Sequence, residues 1–279
     1  MKKFSAKLPT TFKEYNDVLE KVCSLKQAGK DNEAFKLLEQ ITKITLLPEA
    51  PSTEEAYRLC LLAARLNEET NVFPQKVIGF YERALNLSVK EDDAFTIHRG
   101  LGSAYIDAEN FSKAVEHLEK ALVFAPQPED REELYRYVVI AYKNLDRYPE
   151  ALSVADKLIQ TIDNREYGYT TDQDTLCCVY NDKAWCLHRM GKNEASEKCF
   201  HKALSFKKSE KETRSWVYGT WADVFVERGK MNEALKKYEQ ALRLSSDKEM
   251  IKKWTSYADW CRKELKSSVD SSSQKKSKS

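Results

Sequence analysis

Residues that interrupt helices are scarce in this sequence. Only 8 glycines and 7 prolines occur among 279 residues, while charged residues make up 32%. Such a composition is typical of a chain built from helices whose polar faces meet water. The 4 histidines are scattered along the chain, so they provide no obvious centre for acid–base catalysis.

Long apolar runs are also missing. No stretch of about eighteen consecutive apolar residues occurs, so the sequence predicts no membrane-spanning helix. The basic start, Met1 to Phe4, leads into polar residues such as Lys7 and Glu14, which does not fit a signal peptide. The 7 cysteines are odd in number and irregularly spaced, unlike a disulfide framework. We therefore expect a reducing compartment, the cytoplasm or the nucleus.

The net charge is small and unevenly distributed. The formal charge is +2, and the Ser/Lys-rich segment 266–279 contributes +3, which leaves about −1 for the remainder. General nucleic-acid binders carry a positive patch on their folded part. We therefore do not expect a general nucleic-acid binder, and the missing apolar run predicts no membrane partner.

Sequence motifs of catalysis and cofactor binding are absent. There is no glycine-rich phosphate loop, and Gly100-Leu101-Gly102 lacks the preceding strand that such a loop needs. Cys186 and His188, like Cys199 and His201, are two residues apart, which on a helix places them on different faces. Structural zinc requires tightly spaced ligand pairs that can converge. We expect no metal, no cofactor and no enzymatic activity.

A short pattern of small and large residues recurs six times at a spacing of roughly forty residues. In the first half of each repeat a large residue and a small one are followed three positions later by an aromatic residue or Leu, as in Leu101-Gly102 and Tyr105. In the second half a small residue is followed by a larger one after four and a small one after seven, as in Ala114, Leu118 and Ala121. Residues spaced by three, four and seven share one face of a helix, so each repeat predicts a pair of packed helices.

A tight turn is expected between the two helices of each repeat. Gly29, Gly191 and Gly229 each stand five residues before the start of the second-helix pattern. Glycine accepts the left-handed conformation that ends a helix abruptly.

These patterns resemble the tetratricopeptide repeat family, and the resemblance covers about residues 15–246. It implies an all-α fold, a right-handed α-solenoid of six helical hairpins, with a period longer than the usual 34 residues. An N-terminal extension would occupy residues 1–14. We place the repeats at about 15–48, 55–88, 95–128, 132–165, 176–208 and 215–246.

The segment after the last repeat is amphipathic and predicts a capping helix over residues 248–265, because a solenoid must cover its last apolar face. Trp254 and Trp260 are expected to pack within this cap. Residues 266–279 lack periodicity and are expected to be disordered. Two insertions, 68–74 and 163–175, lengthen the connections and are interpreted as solvated loops, with a functional role as the alternative.

The resemblance implies that the first helix of each repeat lines a concave groove that binds a peptide. The positions that match the groove in this sequence include Gly219 and Val226, and we select ten candidates for peptide binding. They are Arg99, Ser103, Arg136, Ile140, Lys143, Asn181, Trp185, His188, Trp216 and Asp223.

The groove candidates suggest what kind of partner binds. Arg99, Arg136 and Lys143 beside Trp185 and Trp216 would suit an acidic peptide with a hydrophobic anchor. Alternatively, Arg136 and Lys143 pair with neighbouring carboxylates and the tryptophans pack between repeats.

Two more specific kinds of partner occur in repeat proteins of this type. Some family members bind the C-terminal tails of Hsp70 and Hsp90 with a carboxylate clamp, and no set of three repeats here reproduces it. The hypothesis is therefore a non-enzymatic scaffold or adaptor that binds another protein. The alternative is a protein that binds single-stranded RNA through groove aromatics and Arg or Lys.

Overall fold

A computed structural model of the chain describes residues 12–30, 33, 34, 37, 61, 74–87, 93–163 and 173–276. Within this part the chain forms helices and no strand. The first six are α1 (Phe12–Gln27), α2 (Pro74–Leu87), α3 (Ala94–Asp107), α4 (Phe111–Phe124), α5 (Pro128–Asn144) and α6 (Tyr148–Asp163). They are followed by α7 (Gln173–Arg189), α8 (Asn193–Ala203), α9 (Lys211–Glu227), α10 (Met231–Leu244) and α11 (Lys248–Lys276).

The chain divides into two compact units, Met1–Ala141 and Tyr142–Ser279. None of the described helices combines the length and apolar character needed to cross a bilayer.

In the first unit, α3 and α4 form a hairpin whose contact face follows the repeated pattern. Leu101, Ala114, Leu118 and Ala121 are fully buried. Gly102 allows this close approach, because a Cβ atom there would lie 2.4 Å from Leu118 Cδ2. The predicted small and large positions therefore form the hairpin interface.

In the second unit, α7 with α8 and α9 with α10 form two further hairpins. Their core contains a row of aromatic rings: Phe200 stacks on Trp221 with ring centroids 5.2 Å apart, and Trp221 stacks on Phe225 at 5.9 Å. Cys177 and Cys186 are buried, as expected of cysteines that behave as small apolar residues. Burial raises the pKa of the Cys186 thiol to about 12.

The turns inside the hairpins confirm the predicted left-handed position. Gly29, Gly191 and Gly229 have φ angles of 69°, 75° and 69°. The third and fourth repeats use the same position without glycine, with Glu109 at φ 56° and Asp146 at φ 57°. The turn therefore imposes the left-handed conformation on whichever residue occupies this position.

Helix α11 covers the last hairpin, and its extent differs from the prediction. Trp254, Ala258 and Cys261 form a buried stripe, as expected of a cap. The helix continues to Lys276, eleven residues past the predicted boundary of the cap at 265, since no Gly or Pro interrupts residues 248–276.

The two predicted insertions are only partly described. The insertion 68–74 lies outside the described residues except for Pro74, which begins α2. In the insertion 163–175, residues 164–172 lie outside the described part. Gln173, Asp174 and Thr175 belong to α7, so this connection is shorter than predicted.

Candidate binding surface

Helices α7 and α9 of the second unit each present one face to the core and another to a cleft. On α7 the side chains at positions 181, 185 and 189 recur every four residues. On α9 those at 216, 220 and 223 are four and three residues apart, so each set shares one helix face. The cleft-lining residues of the two helices are Asn181, Asp182, Trp185, Arg189, Trp216, Thr220 and Asp223.

We call this first cleft the Trp216 cleft. It has a volume of about 340 Å³, and the end of α5 with the turn after it completes its wall. Five of the predicted groove residues meet there, namely Lys143, Asn181, Trp185, Trp216 and Asp223. Trp216 is 46% exposed, whereas its neighbours Ser215 and Val217 are fully buried. The core face of α9 is therefore complete without this indole.

The cation of the Trp216 cleft is already paired. Lys143 Nζ lies 2.6 Å from Asp182 Oδ1, and the two side chains are only 25% and 12% exposed. Burial lowers the pKa of Lys143, but the Asp182 carboxylate outweighs it, so the pKa stands above its ordinary value. This pair joins the end of α5 to α7.

Asn181 is a buried amide on the wall of the cleft. It is 3% exposed, and its Oδ1 receives no hydrogen bond from any residue in the described part of the chain. A buried acceptor without a donor is costly, so a donor supplied by a bound molecule would stabilise this site.

Several residues of the cleft were not among the predicted ones. Arg189 and Thr220 lie one helical turn beyond Trp185 and Trp216, so an extension of the same spacing would have found them. Asp146 and Tyr148 come from the turn and the start of α6, where no helical spacing applies.

Two predicted groove positions in this unit have other roles. His188 contacts Asn193 Oδ1 at 3.0 Å through Nδ1 and Glu227 Oε2 at 2.9 Å through Nε2. It therefore joins α7 to the start of α8 and to α9. Gly219 is buried against the cap, because a Cβ atom there would lie 2.5 Å from Trp254 Nε1. The expectation that Gly219 is an open groove position was wrong.

The other four candidates lie in the first unit. Arg99 Nη1 contacts Glu133 Oε2 at 3.0 Å, an ion pair between α3 and α5. Ser103 hydrogen-bonds to Tyr137, and Ile140 is half-buried. Arg136 lies with its guanidinium carbon 5.9 Å from the centre of the Tyr137 ring. Lys143 thus follows the alternative in which it pairs with a carboxylate, and Arg99 is paired in the same way.

A second cleft, the Trp260 cleft, lies among α9, α10 and α11. Its volume is about 460 Å³. Trp260 and Tyr257 line it and are 41% and 40% exposed, so Trp260 does not pack within the cap as predicted. Trp260 lies six residues after Trp254 on α11, so the two indoles lie on different faces of this helix. The remaining lining residues are Asp223, Val226, Glu227, Tyr238, Lys253 and Ser256.

Asp223 lies in the walls of both clefts. Its Oδ1 accepts a hydrogen bond of 2.5 Å from the Tyr238 hydroxyl. Burial raises the pKa of Asp223, while Tyr238 and Lys253 act in the opposite direction. Among the described residues no group of three or more His, Cys, Asp or Glu side chains could hold a metal ion.

Comparison with protein families matches three of the repeats. Residues 97–132 and 222–249 match one sequence profile described as a tetratricopeptide repeat, and residues 179–210 match a second profile with the same description. These segments overlap the third, sixth and fifth predicted repeats. A comparison with curated proteins gives no match.

Solved structures share the fold. A putative kinesin light chain of Podospora anserina with nearly identical TPR-like repeats superposes with a TM-score of 0.55 at 16% identity, covering 71% of this chain and 99% of that one. The protein MamA gives a TM-score of 0.53 at 15% identity and covers 71% and 92% of the two chains. PilF of Pseudomonas aeruginosa gives 0.51 at 12% identity, covering 87% and 96%. At these identities the likeness concerns the fold, and it confirms the predicted all-α solenoid class.

Proposed function

Because three segments of this chain match profiles of the tetratricopeptide repeat and its fold is shared by solved structures of such repeats, we propose that it is a non-enzymatic scaffold that binds a segment of another protein in the Trp216 cleft. Five residues selected from the sequence for peptide binding line this one cleft.

The observation that carries the proposal is the exposed indole of Trp216. Tryptophan is among the residues most enriched where interfaces gain most of their binding energy. Here it stands at a cleft, next to the half-buried Trp185, on a helix whose core face is already filled. An apolar side chain of the bound segment would cover both indoles.

Asn181 favours binding of an extended peptide backbone in the same cleft. A peptide N–H directed at Asn181 Oδ1 would supply the hydrogen bond that no described residue provides. The amide and the two indoles would then hold the backbone and a side chain of one segment.

Charge gives less support to an acidic partner than the sequence suggests. Arg99 and Lys143 are paired with carboxylates, which leaves Arg136 to support that preference. The Trp216 cleft contains two cations, Lys143 and Arg189, against three carboxylates. The same balance disfavours the phosphate backbone of single-stranded RNA.

The test is affinity capture with mass spectrometry, comparing the wild type with Trp216→Ala. The matched control is Phe124→Ala, which removes an equally exposed aromatic side chain from α4. We expect partner proteins that the wild type and the control retain and Trp216→Ala loses, with unchanged circular dichroism. Identical sets of captured proteins from all three would contradict the assignment of this cleft.

A further inference from the structure

We propose that the Trp260 cleft binds the side chain of a basic residue, arginine or lysine, in the segment that occupies the Trp216 cleft. The inference rests on the proposed function, since it assigns the chemistry of the same partner. The two clefts adjoin, because Asp223 belongs to the walls of both.

Two aromatic rings of this region already lie close to a cation. Lys253 Nζ lies 5.8 Å from the centre of the Trp216 ring and 5.9 Å from that of Tyr257. An ammonium or guanidinium within about 6 Å of an aromatic face is attracted by its quadrupole. Trp260 adds a third exposed ring, on which a planar guanidinium can stack.

The carboxylates of the cleft provide the opposite charge. Asp223 accepts the Tyr238 hydroxyl at Oδ1, and Glu227 contacts His188 through Oε2. No described residue donates a hydrogen bond to the second oxygen of either carboxylate. These two acids face one cation, Lys253, so the cleft favours positive charge.

Together these features favour a basic side chain of the bound segment over an acidic or an apolar one. An acidic side chain would meet two carboxylates, and an apolar one would leave the second oxygen of each without a donor. A guanidinium can satisfy carboxylate oxygens with its edge and aromatic faces with its plane. Arginine therefore fits this cleft best.

The experiment follows the indole N–H signals of ¹⁵N-labelled full-length protein during titration with N-acetyl-arginine amide. The 5 tryptophans give an internal comparison, because Trp221 and Trp254 are each only 3% exposed. We expect the Trp260 and Trp216 signals to shift while those two stay in place. N-acetyl-citrulline amide, which has the same shape without the charge, should leave all five unmoved.

Variants assign the effect to the carboxylates. In Asp223→Asn/Glu227→Gln, the amide of residue 223 still accepts the Tyr238 hydroxyl, so the fold is retained. Loss of two charge-assisted contacts should raise the Kd for the arginine probe at least about ten-fold. Glu233→Gln removes an exposed carboxylate on α10 outside the cleft and should leave that Kd unchanged. Equal shifts with arginine and citrulline, or none at Trp260, would overturn the inference.

The two proposals fail separately. If Trp216→Ala loses its partners but the arginine probe leaves Trp260 unmoved, the basic side chain is wrong and the scaffold stands. If the probe binds as expected but Trp216→Ala captures every partner, the cation site stands and the Trp216 cleft is not the binding surface.

Discussion

Gly100 and Gly102 lie on α3 where side chains of neighbouring helices pass over its backbone. A Cβ atom on Gly100 would lie 2.1 Å from Tyr81 Cζ, and one on Gly102 would meet Leu118. Gly79 on α2 has no heavy atom within 4 Å of the same position. Close packing therefore requires glycine at positions 100 and 102, whereas position 79 has room for a side chain.

Substitution by alanine should separate these roles. Gly100→Ala forces Tyr81 to move and should lower the free energy of unfolding by about 1–3 kcal/mol. Gly79→Ala removes a flexible residue from an open helical position and should raise it by about 0.5–1 kcal/mol. Urea denaturation followed by circular dichroism measures both. Effects of equal sign would contradict the packing described for α3.

His98 and His117 make the first unit sensitive to acid. Their Nδ1 atoms are 3.0 Å apart. Burial lowers the pKa of His98 from 6.5 to about 4, with further lowering by His117 and Lys120 against an opposing effect of Glu116. Burial lowers the pKa of His117 as well.

A histidine whose pKa is lower in the folded state binds fewer protons there than in the unfolded chain. Its contribution to stability is complete above about pH 6.5 and is lost as the pH falls towards 4. Over this pH range we expect the free energy of unfolding of the wild type to fall by about 1–3 kcal/mol more than that of His98→Gln. Chemical denaturation at several pH values tests this, with His201→Gln as an exposed-histidine control. Parallel curves for wild type and His98→Gln would refute the expectation.

At the scale of the element, the turns inside the hairpins share one backbone conformation. Five described hairpin turns place a residue with positive φ five positions before the second-helix pattern, and Glu109 and Asp146 do so without glycine. A side chain in the left-handed region costs about 1–2 kcal/mol. The third and fourth repeats therefore contain local strain that the others avoid.

Relieving that strain should stabilise the chain. Glu109→Gly should raise the free energy of unfolding by up to about 1 kcal/mol, and the reverse change, Gly191→Ala, should lower it by about 1 kcal/mol. Thermal and urea denaturation of both variants measure whether stability rises in Glu109→Gly and falls in Gly191→Ala. A destabilised Glu109→Gly would mean that its side chain contributes more than its backbone costs.

At the scale of the whole molecule, the repeated hairpins could be predicted because their pattern depends on local geometry. A helix face is set by spacing within one helix, and in a repeat array each hairpin packs mainly on its neighbours. Leu101, Ala114, Leu118 and Ala121 thus reached the core as expected. The left-handed turns followed from glycine chemistry for the same reason.

The residues that line the proposed binding surface could be predicted only in part. Spacing placed Asn181, Trp185, Trp216 and Asp223 on the cleft, because positions three or four residues apart share one helix face. It failed at Gly219, where the approach of Trp254 from the cap decides the environment. Such contacts depend on how one element docks on another, which helical period does not encode.

The position of Asp223 in the walls of both clefts has a consequence for how ligands would act together. A molecule that neutralises this carboxylate from one side changes the electrostatic free energy of binding on the other side. Two ligands on separate sides would then be thermodynamically linked, each altering the affinity of the other by the same factor. The second unit could thus respond to the joint presence of two chemical groups, whether they arrive on one chain or on two.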